Sequence, residues 1–174
     1  MIIGFVLNKN MNLRETINQE IKKAMQEKSE LPLWVLRGIN AAIKNKEIEK
    51  RTKLSKNEKD IQKLEELSRL NEEEIIEVIS FEAKKRRDSI AEFKKGNRKD
   101  LVEKEEKELE ILKKYLPEQM SEEQVKEEVK KAIVKVGAVG PKDTGKLMSV
   151  LMPELKGKAG GSMVSKIVGE LLNS

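Results

Sequence analysis

The spacing of the apolar residues constrains this chain more than any other feature. They recur three and four positions apart over nearly its whole length, the period of one buried helix face, and no run alternates with the two-residue period of a half-buried strand. Leu13, Ile17, Ile21, Ala24 and Met25 form the first stripe, behind Asn12-x-x-Glu15, which has the spacing of a capping box. Pro32 is expected to break that helix, and a second, beginning near Leu33, to bury Leu36, Ile39, Ile43 and Trp34. Residues 51–60 read as a polar, basic joint, followed by a short helix carrying Ile61, Leu64 and Leu67. Asn71-x-x-Glu74 opens the next, with Ile75, Ile76, Ile79, Ala83, Ile90 and Phe93 inward. Gly96-Asn97 stops it, and Asp100-x-x-Glu103 starts a return helix bearing Leu101, Leu109, Leu112 and Leu116. The pair is expected to form an antiparallel hairpin.

Leu116-Pro117 and the capping box Ser121-x-x-Gln124 mark a change of composition, so the domain boundary is placed at 117–121. Three short helices should follow. The first carries Val125, Val129, Ala132, Ile133 and Val136 and stops at Gly137. The second runs from Pro141 to about Met152, with Pro153 after its end. The third runs from Ser162 to Leu172 and buries Val164, Ile167, Val168 and Leu171. The expected fold is therefore all-α: a multihelical domain over residues 11–117 with a helical hairpin, then a small three-helix bundle over 121–174. Residues 1–10 read as an N-terminal extension, with Met11 as an alternative start; the apolar stretch Met1–Leu7 lacks the basic flank of a signal peptide. No segment reaches the roughly 20 apolar residues that cross a bilayer, so a soluble, cytoplasmic protein with no membrane partner is expected.

Composition narrows the chemistry. The 174 residues include no Cys, no His and only five aromatics, which removes thiolate zinc sites, His-based triads and imidazole proton transfer. A metal would have carboxylates alone as side-chain ligands, and neither a metal nor any other cofactor is expected. The acidic runs Glu72-Glu73-Glu74 and Glu105-Glu106 sit at a helix start or on Glu/Lys faces with nothing apolar beside them, so no catalytic pair is assigned. Scarce aromatics make base stacking on single strands a poor mode, and any nucleic acid should be recognised as folded RNA, by backbone and shape.

The net charge of +5 is unevenly spread. Residues 1–56 hold 12 basic and 6 acidic groups, residues 57–120 hold 15 and 18, and residues 121–174 hold 9 and 7. Lys84-Lys85-Arg86-Arg87 is not one patch, because successive helical side chains point about 100° apart. One arginine should lie against the core and need Glu105 or Glu106 on the returning helix. Gly140-Pro-Lys-Asp-Thr-Gly145-Lys146 spells most of a phosphate-binding loop, but Leu147 stands where a hydroxyl must ligate Mg²⁺, and no strand precedes it. It reads as an interhelical turn. Lys156-Gly157-Lys158-Ala159-Gly160-Gly161-Ser162 is either a flexible linker or a close contact for phosphates at a helix start.

The run RRDSIAEFKKGNRKDLVEKEEKELEILKKYLPEQMSEEQV (86–125) resembles the GatB/YqeY family, as does GKLMSVLMPELKGKAGGSMVSKIV (145–168). The likeness extends from about Met11 to Leu172. It implies a multihelical N-terminal domain, a three-helix C-terminal domain, and similarity to the tRNA-engaging tail of the B subunit of a glutamine-dependent tRNA amidotransferase. In that enzyme the chemistry resides elsewhere, so a carbon–nitrogen ligase label would reach this chain by association only. The resemblance thus implies a non-catalytic module for tRNA or tRNA-like RNA, linked to translation. Gly145-Lys146-x-Met148 and Lys156-Gly157-Lys158-Ala159-x-Gly161 match its glycine/lysine motifs; Gly160 stands where family members often have Asp, and residues 51–70 look like an insertion. Phosphate contacts are expected from Lys142, Lys146, Lys156, Lys158 and Lys166, with Gly145, Gly157 and Gly161 allowing close approach. The alternative is an adaptor that docks Met148, Met152 and Met163 on an amidotransferase, synthetase or ribosomal partner.

Overall fold

A computed structural model describes residues 12–173. The expected N-terminal extension, and the choice between Met1 and Met11, lie outside the described residues. Within them the chain forms eight α-helices and one short 3₁₀ turn, with no strand. By contacts it separates into two compact units that meet between Tyr115 and Leu116.

The first unit contains α1 (Leu13–Gln26), α2 (Glu30–Leu54), α3 (Ile61–Ser68), α4 (Glu72–Lys95) and α5 (Lys99–Lys113). The Asn12 side chain accepts from the Glu15 N–H at 2.9 Å and so starts α1. That helix stops without any help from Pro32, as Lys28 turns the chain at a positive φ of 53°. Pro32 instead lies in the first turn of α2, where its missing N–H would have had no partner, so α2 starts three residues earlier than expected. It also runs on to Leu54, taking up part of the expected joint. Asn71 and Glu74 form a complete capping box at the start of α4. α5 begins at Lys99 rather than being capped by Asp100, whose carboxylate is held by Arg98 at 2.9 Å.

Ile17, Leu36, Ile39, Ile43, Ile79 and Leu112 are the largest wholly enclosed side chains of this unit. Burying each is worth roughly 1.5–3 kcal/mol. Four expected core residues are outside instead: Met25 at 52% exposure, Trp34 at 69%, Ile61 at 69% and Leu67 at 51%. Val35, Ser68 and Leu70 occupy the buried positions beside them, so the 51–70 segment is packed in by Leu64 and Leu70. Tyr115 is buried, and burial, with the Glu20 carboxylate nearby, pushes its phenol up to about 12.

The hairpin of α4 and α5 is antiparallel. Lys94 reaches Glu106 at 3.1 Å, while Arg86, two turns earlier, meets α5 further along. Arg86 Nε lies 2.8 Å from Glu108 and 3.3 Å from Glu105. Of the tetrabasic run, Arg86 is therefore the one turned to the core, with Glu105 as expected; Glu108, buried at 2% exposure, is its closer partner.

The second unit contains α6 (Glu122–Val136), the 3₁₀ turn Pro141–Asp143, α7 (Thr144–Glu154) and α8 (Gly161–Leu172). Ser121 and Gln124 complete the capping box of α6, and Gly137 ends it in the left-handed conformation at φ 66°. α7 continues through Pro153 rather than stopping before it. Val125, Val129, Leu147, Leu151, Val164 and Val168 are wholly enclosed. Leu172, not Leu171, closes the far end of that core.

Candidate nucleic-acid interface

Both glycine/lysine elements lie in the second unit, and its connectivity separates them. Lys142 and Lys146 belong to the turn between α6 and α7, whereas Lys156 and Lys158 follow α7. An 11-residue helix holds the two groups about 16 Å apart. Lys166 sits with the second group, 3.7 Å from Glu122 at the start of α6. Five lysines that read as one cluster in sequence thus stand at two ends of the bundle.

The first element is an interhelical turn, as expected. Asp143 accepts from the Val139 N–H at 2.9 Å, and the Thr144 hydroxyl donates to the Pro141 carbonyl at 2.8 Å. Leu147, in the position a nucleotide loop would give to a hydroxyl, is wholly buried in the core. Lys146 donates to the Val136 carbonyl at 3.2 Å, so its ammonium serves the C-terminal end of α6. Gly145 lies exposed in the first turn of α7 with open space beside its Cα, and Lys142 is exposed nearby.

The second element is tied by hydrogen bonds at both sides. Lys158 and Ala159 N–H groups both donate to the Leu155 carbonyl, at 3.0 and 3.1 Å. Gly157 sits at φ 74°, a conformation that costs a residue with a Cβ roughly 1–2 kcal/mol. Its carbonyl accepts from the Gln119 side-chain amide at 2.6 Å, and the Lys158 carbonyl accepts from the Met120 N–H at 2.8 Å. Residues 119–120 therefore clamp the loop from outside. The Lys158 side chain is exposed, and that of Lys156 is half-buried. Gly160 precedes the first residue of α8 and gives it no side-chain cap. Gly161 lets the loop close on α7: a Cβ there would meet Met152 Cε at 3.4 Å. Lys166 is exposed between Glu122 and Glu170, each at 3.7 Å, surface pairs worth about 0–1 kcal/mol.

The helical order, the turn at 140–146 and the loop at 156–161 together match a known pattern. The family model described as Yqey-like protein covers residues 14–172. The chain belongs to the YqeY-like family. Among curated proteins, this YqeY-like chain is similar to "Altered inheritance of mitochondria protein 41, mitochondrial" of several yeasts. It is 39% identical to the protein from Lachancea thermotolerans over 58% of this chain and 46% of the relative. Against that from Kluyveromyces lactis it is 38% identical over 57% and 45%. Against that from Candida glabrata it is 32% identical over 62% and 51%. The matched region spans about half the length of these relatives. Among the described residues of the YqeY-like chain, no helix is long and apolar enough to cross a membrane.

The Met face expected of an adaptor is thin. Met148 is half-buried against the core, and Met152 and Met163 are 38% and 36% exposed. The sequence reading missed a second feature altogether, the open groove between α2 and α4 that carries Trp34 and Phe81. Its sequence signal was phase: Trp34 falls on the side of α2 opposite the Leu36–Ile39–Ile43 stripe.

Proposed function

We propose that this chain is a non-catalytic helical module that binds tRNA or tRNA-like folded RNA through its phosphate backbone, with the loop at 156–161 as the main contact. The clamped loop carries this reading. Gly157 at positive φ, its carbonyl tied to Gln119, turns the chain sharply between two lysines, so the ammonium of Lys158 stands on a fixed backbone and reaches solvent. A fixed loop loses less entropy on binding than a slack one, and Lys holds phosphate as a point charge. Gly161 and the uncapped start of α8 leave room and N–H groups beside it. Lys142 supplies a second contact at the other end of the bundle. Lys146 and Lys166 contribute less, since the Lys146 ammonium bonds the Val136 carbonyl and Glu122 and Glu170 flank Lys166; half-buried Lys156, also engaged within the chain, adds less than Lys158. The proposed compartment is the cytoplasm, and the proposed setting is translation, alongside an amidotransferase, synthetase or ribosome.

Salt dependence of binding to purified tRNA tests this. Each phosphate contact contributes about 0.7–0.9 to the log–log salt slope. Lys142→Ala, Lys156→Ala and Lys158→Ala combined should lower the slope by about 2, with a matching loss of affinity. Lys146→Ala with Lys166→Ala should change it by less than half as much. A triple variant with the parent's affinity and slope would rule the site out.

A further inference from the structure

We propose that the groove between α2 and α4 is a dimerisation surface whose occupant is the same groove of a second copy of this chain. The two helices run antiparallel. Lys50 bridges to Glu74 at 2.7 Å near one end, and Trp34 and Arg86 line the same hollow near the other. Two hollows, of about 650 and 280 Å³, share Glu82 and join into one groove. Along α2 it follows Trp34, Gly38, Ala42, Lys46 and Lys53, a helical stripe about 28 Å long. Gly38 has open space at its Cβ position, so the floor is low enough for another helix to approach closely.

Two observations point to a protein surface here. The chain has only five aromatics, and two of them, Trp34 and Phe81, stand exposed along this groove at 69% and 62%. Aromatic side chains of this kind anchor interfaces. The walls also carry opposite charge. α2 brings Lys46, Lys50 and Lys53 with one acid, Glu49, while α4 brings Glu74, Glu77 and Glu82.

That charge pattern selects the occupant. Rotating a second copy about an axis along the groove lays its α2 over this copy's α4, and its α4 over this copy's α2. Because the operation preserves position along the groove, the lysine stretch of each copy meets the glutamate stretch of the other, and both contacts are favourable. Each Trp34 then comes over the end of the partner's groove that Arg86 lines, and leaves water there. Rotation about an axis across the groove would instead stack α2 on α2 end for end, laying the lysine stretch of each copy over the Trp34–Arg37 end of the other, where no glutamate of α2 meets it. The first orientation is the one in which the charged stretches match.

The test is the mass of the full chain by sedimentation equilibrium from micromolar to millimolar concentration. The expected result is a rise from 19.9 kDa toward the mass of two chains, with the Trp34 emission moving to shorter wavelength as it leaves water. Phe81→Glu, at an exposed helical position that the fold tolerates, should weaken association at least tenfold. Lys46→Glu with Lys53→Glu should be monomeric, as should Glu77→Lys with Glu82→Lys; an equimolar mixture of the two should form dimers, since every wall then faces its opposite. A parent chain that stays at 19.9 kDa throughout overturns the proposal. So does a dimer indifferent to Phe81→Glu, or a charge-swapped mixture that stays monomeric.

Discussion

Replacing Arg86 by Met should cost far more than any other single charge in the first unit. Its guanidinium contacts two carboxylates, Glu108 at 2.8 Å and Glu105 at 3.3 Å, and the Glu108 side chain is only 3% exposed. With the cation gone, Glu105, 17% exposed, can turn toward water, but Glu108 is left as a buried charge without the ion pair that holds it. Breaking a buried pair from one side costs about 3–5 kcal/mol, a third or more of a typical domain's stability. Lys94→Met removes an ion pair of similar length, 3.1 Å to Glu106, but its side chains are 60% and 50% exposed. That loss should be about 0–1 kcal/mol. Amide hydrogen exchange in α4 and α5 separates the two, since each 1.4 kcal/mol is tenfold in the population of the open state. The slowest amides should exchange roughly a hundredfold to a thousandfold faster in Arg86→Met and at most about fivefold faster in Lys94→Met. Adding Glu108→Met to Arg86→Met should recover most of the loss, because the pair is then replaced by apolar side chains of similar reach. If the Arg86 and Lys94 variants exchange alike, or the double variant is worse than the single, Glu108 is not the buried charge this reasoning requires.

Two further outcomes follow from local features. Tyr115 is the only tyrosine, so ultraviolet absorbance titration reads it alone; its phenol should ionise near pH 12 rather than 10. Because the folded state raises this pKa, burial of the neutral phenol stabilises the first unit fully below pH 10 and loses that contribution as the pH climbs through about 12. Gly137→Ala should lower stability by roughly 1–2 kcal/mol in urea unfolding, by conformation alone, since φ is 66° and nothing lies within 4 Å of the added Cβ.

What the sequence made legible was local. Asn71 with Glu74 and Ser121 with Gln124 cap their helices because the required atoms lie three residues apart, and Gly137 stops α6 because only its own φ is at stake. The stripes Ile75–Ile79–Ala83–Ile90 and Val125–Val129–Ala132 went inward as their period requires. The failures were of two kinds. Pro32 was read as a breaker, although a proline in a first turn displaces no hydrogen bond, so the same residue suits a helix start. Trp34 and Met25 are apolar residues expected inside that stay more than half exposed, Met25 with the Arg37 guanidinium 3.8 Å from its sulfur. At the candidate site, the sequence puts the lysines and glycines in one group, but their separation to opposite ends of the bundle depends on α7 intervening, and the engagement of Lys146 with Val136 on a contact between neighbouring helices. Neither is written in the linear spacing. Glu108 was missed for the same reason. It sits in a Glu/Lys-rich run, and only the hairpin register shows that Arg86 faces it.

The clamp on the 156–161 loop bears on how this protein could be cut into working pieces. Gln119 and Met120 precede the capping residue of α6, so a fragment trimmed to its visible helices at Ser121 would keep every helix of the bundle and still lose both hydrogen bonds that set the loop. Such a piece would retain its helices and the enclosed core residues, losing the packing of Met120 against them, while Gly157 and Lys158 were free to wander. The four residues from Pro117 to Met120, which resemble a spacer, are in effect part of the loop's template, and the shortest faithful fragment starts ahead of them.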